Sequence, residues 1–501
     1  MKAASLSGSK PSLWILNPTW DMLLFILAPV WIIPVIWCLK DRTDLNSIGT
    51  IILALGATGH HMPGLIRAYT DPQLFRRYRW RFILSPIFFI SVCMAFAYLD
   101  LHGLFLIVVI WGSWHGAMQV NGFLRIYDSK VGSVSRATAK LDWAMCLAWF
   151  GGAILYSPVK LTAIFAFFYQ SGGTLISPQG FFLFRDAWVL LTVGITMAFA
   201  ANAWQQARRG LPSSPLKFLL MASTFGFWWF SIVMINNVLL SVLLFEIFHD
   251  LQYSALVWVY NEGRVAKNMA ASSVERFIFR PGWRIVLFAA LILAYGYFGI
   301  ASGYATTTMP RLLGGGESSR YLVHFIIAST FLHFYFDGFI WRVRESGFRK
   351  DLGIKDIAGN AVRQHHFSWK PAVLKWALFV IPAIFFGLTE YYHHPLLAGP
   401  QFQTMLQFSP NEWHLNFIVA EAMGSDEAHS LAYLQKVVAI QPDFAPAQKM
   451  LGEIFDRRGL SDSALVHYQL AVNSNPLDGE SLDSLESIRK RISMDLLRKS
   501  S

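Results

Sequence analysis

Ionisable side chains fall inside four otherwise apolar stretches of this 501-residue chain, and their types are those that bind metals. GHHMPGLIRAY carries His60 and His61, and WHGAMQVNGFLRIYDSK carries His115 and Gln119. FEIFHDLQYSALVWVYN carries Glu246, His249, Asp250 and Gln252, and HFYFDGFIWRVR carries His333 and Asp337. An ionisable group in a lipid-spanning helix costs roughly 2.5–3.5 kcal/mol on insertion scales, so such groups face an interior site. Glu246 and His249 stand at i, i+3 and share a helix face, the Glu-x-x-His arrangement by which bundle helices offer a carboxylate and an imidazole to iron or manganese. His115 with Gln119, and His333 with Asp337, stand at i, i+4. In each pair the second residue either ligates or holds the imidazole from behind. Imidazole with carboxylate favours iron, manganese or zinc over copper(I).

Depth supports convergence. His61 lies six residues before Arg67, His115 ten before Arg125, His333 nine before Arg342 and His249 twelve before Asn261. At ~1.5 Å per residue, the four positions occupy one layer if their helices run parallel. The expected metal ligands are His60, His61, His115, Glu246, His249 and His333. Gln119, Asp250 and Asp337 are expected as supporting or variable ligands. Plainer roles exist for each group. A lone intramembrane His serves as a helix–helix hydrogen-bond partner, adjacent His60 and His61 point ~100° apart on a helix, and Glu246 suits an arginine partner or proton transfer. Bis-histidine haem and a proton or solute path are the competing uses of the whole set.

Arg67, Arg125 and Arg342 follow their histidines at the ends of three of these stretches, with Tyr69, Tyr127, Trp258, Tyr260 and Trp341 in similar places. They read as snorkelling arginines with an aromatic belt, or as an entrance that holds an anionic head group.

The elements that must position these groups are transmembrane helices. The chain is 54% hydrophobic, 15% aromatic and 15% charged, with a mean hydropathy of +0.41. Soluble chains carry about 25% charged residues. That excludes a soluble enzyme, a disordered scaffold and a disulfide-built secreted module; Cys38, Cys93 and Cys146 have neither zinc nor disulfide spacing. Apolar runs able to span recur near 20–39, 48–66, 82–99, 103–124, 141–157, 186–204, 217–235, 238–260, 284–304, 321–341 and 371–388, giving about 11 spans. Leu161–Tyr169 is too short and reads as interfacial or re-entrant. The first run lacks a following cleavage site and is expected to stay as an anchor.

The net charge of +11 sits in alternate loops rather than in a nucleic-acid patch. RAYTDPQLFRRYRWR, RIYDSKVGSVSRATAK, QQARRGLPSSPLK, NEGRVAKN and WRVRESGFRK are basic. DLHG, INN and ATTTMPRLLGGGESS are nearly uncharged. The positive-inside rule puts the basic set and the N-terminus in the cytoplasm, and an odd span count puts the C-terminal tail outside, in a bacterial inner membrane.

From about Phe408 the composition turns polar with helical periodicity. Leu451, Gly452, Phe455, Gly459, Ala464, Tyr468, Ala471 and Pro476 sit at offsets that resemble a tetratricopeptide repeat, and Pro442 ends the preceding stretch 34 residues earlier, one repeat period. Residues 1–400 are thus expected as a polytopic membrane domain and 401–501 as a tetratricopeptide-like helical domain. The resemblance implies a protein partner for the tail.

The histidines on spanning helices, with the run Trp114-His115-Gly116, also loosely resemble the Brp/Blh family of membrane carotene-cleaving dioxygenases, which is thought to hold iron with histidines in a helical bundle. The likeness covers four short motifs. It departs where Gln119 and Asn121 follow His115 in place of the family's Asp, and in Glu246-x-x-His249. It implies iron and an apolar substrate, without carotene itself. The histidine boxes of membrane desaturases are absent.

The sequence therefore predicts an all-α, polytopic transmembrane bundle with a helical-repeat tail. The expected cofactor is non-haem iron, mono- or dinuclear, and the expected reaction is hydroxylation, desaturation or oxidative cleavage of a lipid or isoprenoid. Two other readings compete. One is a lipid-linked polytopic transferase using Asp41 and Asp44 in a first outer loop. The other is a non-enzymatic assembly factor or transporter with a partner-binding tail.

Overall fold

The apolar stretches fold as helices whose ends follow from their capping residues. The computed structural model describes residues 13–40, 42, 58–133, 135–266, 271–301, 317–341, 354, 369–393, 399–423, 426–476 and 478–500, and among them every regular element is helical. Six helices are long and apolar enough to cross a membrane: Pro72–Tyr98, Gly103–Lys130, Pro178–Arg208, Pro215–Met234, Leu240–Ala266 and Arg320–Ile340. The count rises to nine if each of three bent helix pairs is one span. Most of the stretch near 48–66 and its preceding loop, with Asp41 and Asp44, lies outside the described residues, as does Arg342.

Asp71 and Pro72 separate the helix that bears His61 from the next. Asp71 accepts hydrogen bonds from the amides of Gln73 (3.0 Å) and Leu74 (3.1 Å), and Pro72 stands where a missing N–H loses no bond. Glu390, near the end of Trp369–His393, caps Gly103–Lys130 from a distance, accepting from the amides of His102 (2.7 Å) and Gly103 (2.9 Å). Irregular backbone in the apolar region is satisfied from neighbouring side chains, as a bilayer demands. The π-turn Met22–Ile26 gives its Leu23 carbonyl to Trp31 (2.9 Å) and its Phe25 carbonyl to Gln252 (2.9 Å).

Glu317–Ile340 packs against Pro72–Tyr98, His61–Thr70 and Gly103–Lys130, while Val238–Ala266 packs against His61–Thr70 and Ala28–Lys40. Small residues let these helices approach. A Cβ at Gly116 would lie 3.0 Å from the Phe245 ring, one at Gly112 3.3 Å from the Phe334 ring, and one at Gly64 2.6 Å from the Tyr253 hydroxyl.

A second compact unit comprises residues 157–165, 174–181 and 396–501, so it includes short segments from between the earlier helices. Phe165 stacks on Phe408 at 4.6 Å between ring centroids, and Phe181 packs against it, tilted, at 4.5 Å. The helices Trp413–Ala422, Glu427–Ile440, Ala445–Arg457, Ser461–Ser474 and Gly479–Ser500 pack consecutively around Phe417, Leu434, Val437, Leu451 and Ile454, then Tyr468, Leu485 and Ile488. Gly452 admits the Tyr468 ring, since a Cβ there would lie 2.8 Å from it. Gly459, at φ +70°, closes the turn after Ala445–Arg457, a conformation that a side chain disfavours.

Candidate metal centre

Four segments deliver five histidines to one buried place. His60 and His61 stand at the start of His61–Thr70, and both are buried although adjacent. Gly103–Lys130 brings His115, Val238–Ala266 brings His249 and Asp250, and Glu317–Ile340 brings His333 and Asp337. All five histidines and Asp250 are buried.

Ring centroids lie 4.8 Å apart for His60–His61, 4.6 Å for His60–His333, 4.9 Å for His61–His333 and 4.7 Å for His115–His333. His249 is 5.3 Å from both His60 and His115. His115 and His333 present Nε2 to Nε2 at 3.1 Å. Asp337 Oδ2 stands 3.8 Å from His333 Nε2 and 3.9 Å from His115 Nε2. Asp250 Oδ1 is 3.0 Å from His60 Nδ1. Two groups have potential ligand atoms all within 4.8 Å of one another: His60, His115 and His333, and His60, His249 and Asp250.

The supporting contacts fix these rings. His61 Nδ1 meets Ser329 Oγ at 3.2 Å, and that hydroxyl meets Tyr295 at 2.5 Å. Asp337 Oδ1 accepts from the Tyr253 hydroxyl (2.9 Å) and the Trp341 indole (3.0 Å). Gln119 donates to the His249 carbonyl at 2.9 Å. Phe334 stacks on His115 at 4.8 Å and Phe245 lies parallel to His249 at 6.0 Å, which walls the imidazoles with apolar rings.

Satisfaction is incomplete. Asp250 Oδ1 faces the single imidazole of His60, its Oδ2 accepts no hydrogen bond, and His61 Nε2 and His333 Nδ1 have no hydrogen-bond partner. A buried carboxylate with one imidazole beside it and one oxygen unsatisfied is costly unless a cation compensates it. The Nε2 pair of His115 and His333 shares one proton at most. Two neutral imidazoles so placed suit a shared proton or two ligands of one cation.

The structure thus brings together His60, His61, His115, His249, His333, Asp250 and Asp337. Glu246 is half-buried and stands outside both donor groups; one residue beyond His249, Asp250 is the carboxylate that faces His60. Of the arginines expected at an entrance, the two among the described residues are engaged elsewhere. Arg67 is buried between the rings of Tyr260 (4.0 Å) and Trp341 (3.8 Å). Arg125 bonds Asp128 and Asp142, both at 2.8 Å, and Lys217 joins the same carboxylates at 2.9 and 3.2 Å. Tyr253, Ser329 and Tyr295 had no assigned role in the sequence. Tyr253 was visible as the i+4 neighbour of His249, and Trp341 as that of Asp337.

Comparison with protein-family models, with curated proteins and with solved structures returns no match for this chain.

Proposed function

We propose that this protein is a membrane-embedded oxidoreductase that holds non-haem iron, mono- or dinuclear, and oxidises a lipid or isoprenoid by hydroxylation, desaturation or oxidative cleavage. The observation that carries this reading is the gathering of five imidazoles and two carboxylates at one buried point of an apolar helical protein. Imidazole and carboxylate donors without a nearby thiolate suit iron. The Phe245 and Phe334 rings beside His249 and His115 exclude water and favour an apolar substrate that enters from the bilayer. Iron supplies the redox chemistry. The chain holds the ligands, orients them through Ser329, Tyr253, Trp341 and Gln119, and keeps the site dry.

The reading includes eleven spans, the nine counted above with those near 48–66 and 371–388 added. It places the N-terminus in the cytoplasm of a bacterial inner membrane and the tail outside, where a tetratricopeptide-like surface recruits a protein partner. The test is a comparison of lipid extracts from cells that express the wild type or His333→Ala. An oxygenated or desaturated lipid that depends on His333 supports the reading, and identical extracts under aerobic growth sink it.

A further inference from the structure

We propose that the cluster is two metal sites side by side, each built from two histidines and one carboxylate: His115, His333 and Asp337 for one ion, and His60, His249 and Asp250 for the other. This rests on the metal-centre reading and deepens it by dividing the donors.

The number of donors argues first. Seven donor residues converge, whereas one first-row ion takes four to six ligands and a catalytic ion leaves at least one position open. The distances then separate them. Two donors at right angles, each about 2.1 Å from one ion, stand about 3 Å apart, or about 3.4 Å in a tetrahedron. Two pairs meet that condition: His115 Nε2 with His333 Nε2 at 3.1 Å, and His60 Nδ1 with Asp250 Oδ1 at 3.0 Å. Each pair has its third donor beside it. Asp337 Oδ2 lies 3.8 and 3.9 Å from the first pair, and His249 shares the 4.8 Å donor group of the second.

The state of the carboxylates supports the same division. Asp337 has Oδ1 anchored by Tyr253 and Trp341 and turns Oδ2 to His115 and His333. Asp250 is buried with Oδ1 against His60 Nδ1 and accepts no hydrogen bond at Oδ2. One cation at each carboxylate satisfies both. Two histidines and a carboxylate on one face of an ion is the donor set of iron(II) oxygenases, and it leaves positions for dioxygen. His61, held by Ser329, stands between the sets, 4.8 Å from the His60 ring and 4.9 Å from that of His333.

Two ions also match the electron count. Hydroxylation of one C–H bond by dioxygen, with release of one water, takes four electrons. The C–H bond supplies two, and two iron(II) ions passing to iron(III) supply the others, with two protons taken up. A single turnover then needs only dioxygen and substrate, and an external reductant restores iron(II) afterwards.

The experiment is a titration of the metal-free, full-length chain in detergent with Co2+ under argon, followed by visible absorption. Wild type saturates at two equivalents, and Asp250→Asn and Asp337→Asn each saturate at one. Wild type saturating at one equivalent overturns the division and leaves the metal-centre reading standing. No bound cobalt overturns both. If a variant does not elute like the wild type on gel filtration, the wild-type end point decides alone.

Discussion

The Nε2 atoms of His115 and His333 lie 3.1 Å apart although 218 residues separate them in the chain. Two buried imidazoles so placed share one proton or ligate one cation. Their carboxylate neighbours extend the argument into a ligand-by-ligand prediction. Asp250→Asn weakens metal binding at its own site at least tenfold, in the range by which ligand and ligand-orienting changes act, and so lowers metal per chain from about two to about one. Glu246→Gln, on the same helix but outside both donor groups, leaves metal per chain at the wild-type value. Metal per chain after desalting reads both.

Gly64 makes room for the group that anchors Asp337. A methyl at this position meets the Tyr253 hydroxyl at 2.6 Å, so Gly64→Ala destabilises by about 1–3 kcal/mol, the usual range for overpacking. The hydroxyl is the obstructing atom, so Tyr253→Phe in the Gly64→Ala background recovers part of the loss. Thermal unfolding in detergent, followed by tryptophan fluorescence, measures the coupling. Strictly additive effects contradict the packing.

Arg125 and Lys217 share Asp128 and Asp142 in a closed, buried set of two cations and two anions. Lys217→Met leaves an uncompensated carboxylate and costs about 3–5 kcal/mol, as broken buried pairs do. Combining it with Asp142→Asn restores neutrality and costs less than the sum of the two changes. Arg125→Ala lowers the unfolding midpoint without changing affinity for anionic lipid vesicles. A loss of vesicle binding at unchanged stability contradicts the assignment.

The tail carries a pH-sensitive cap. Glu412 is buried while it accepts the amide hydrogens of His414 and Leu415, and burial pushes its carboxyl up from the usual range to about 7. The folded state therefore binds a proton that the unfolded state has released between pH 4.5 and about 7. Stability falls as pH rises through that window, by at most about 3 kcal/mol, and levels off above it. Glu412→Gln keeps a carbonyl acceptor and flattens the dependence. Hydrogen exchange of the Trp413–Ala422 amides at pH 5 and pH 8 checks it, and equal protection of the wild type at both values contradicts it.

The helical character and the histidine gathering were legible because apolar length sets a spanning helix and ionisable groups within one must face inward. Spacing could not choose between Glu246 and Asp250. They sit four residues apart on one helix, and only the packing partner decides which carboxylate meets His60. The ~100° separation of adjacent helical residues counted against His60 and His61 acting together, but partners surround this helix start, so His60 faces His249 and Asp250 while His61 faces Ser329. Arg125 was ambiguous for a related reason. A cation near a helix end looks the same in sequence whether it reaches lipid or, like Arg125, finds carboxylates on its own and the next helix.

The most direct test of the metal centre is elemental analysis with an electronic spectrum on the full-length protein purified in mild detergent under anaerobic conditions. Stoichiometric iron, one or two per chain, with no haem absorption, and a fall by one iron per chain in His115→Ala and in His333→Ala, is the predicted result. Absence of any transition metal from folded wild type that also fails to take up added iron(II) would contradict it.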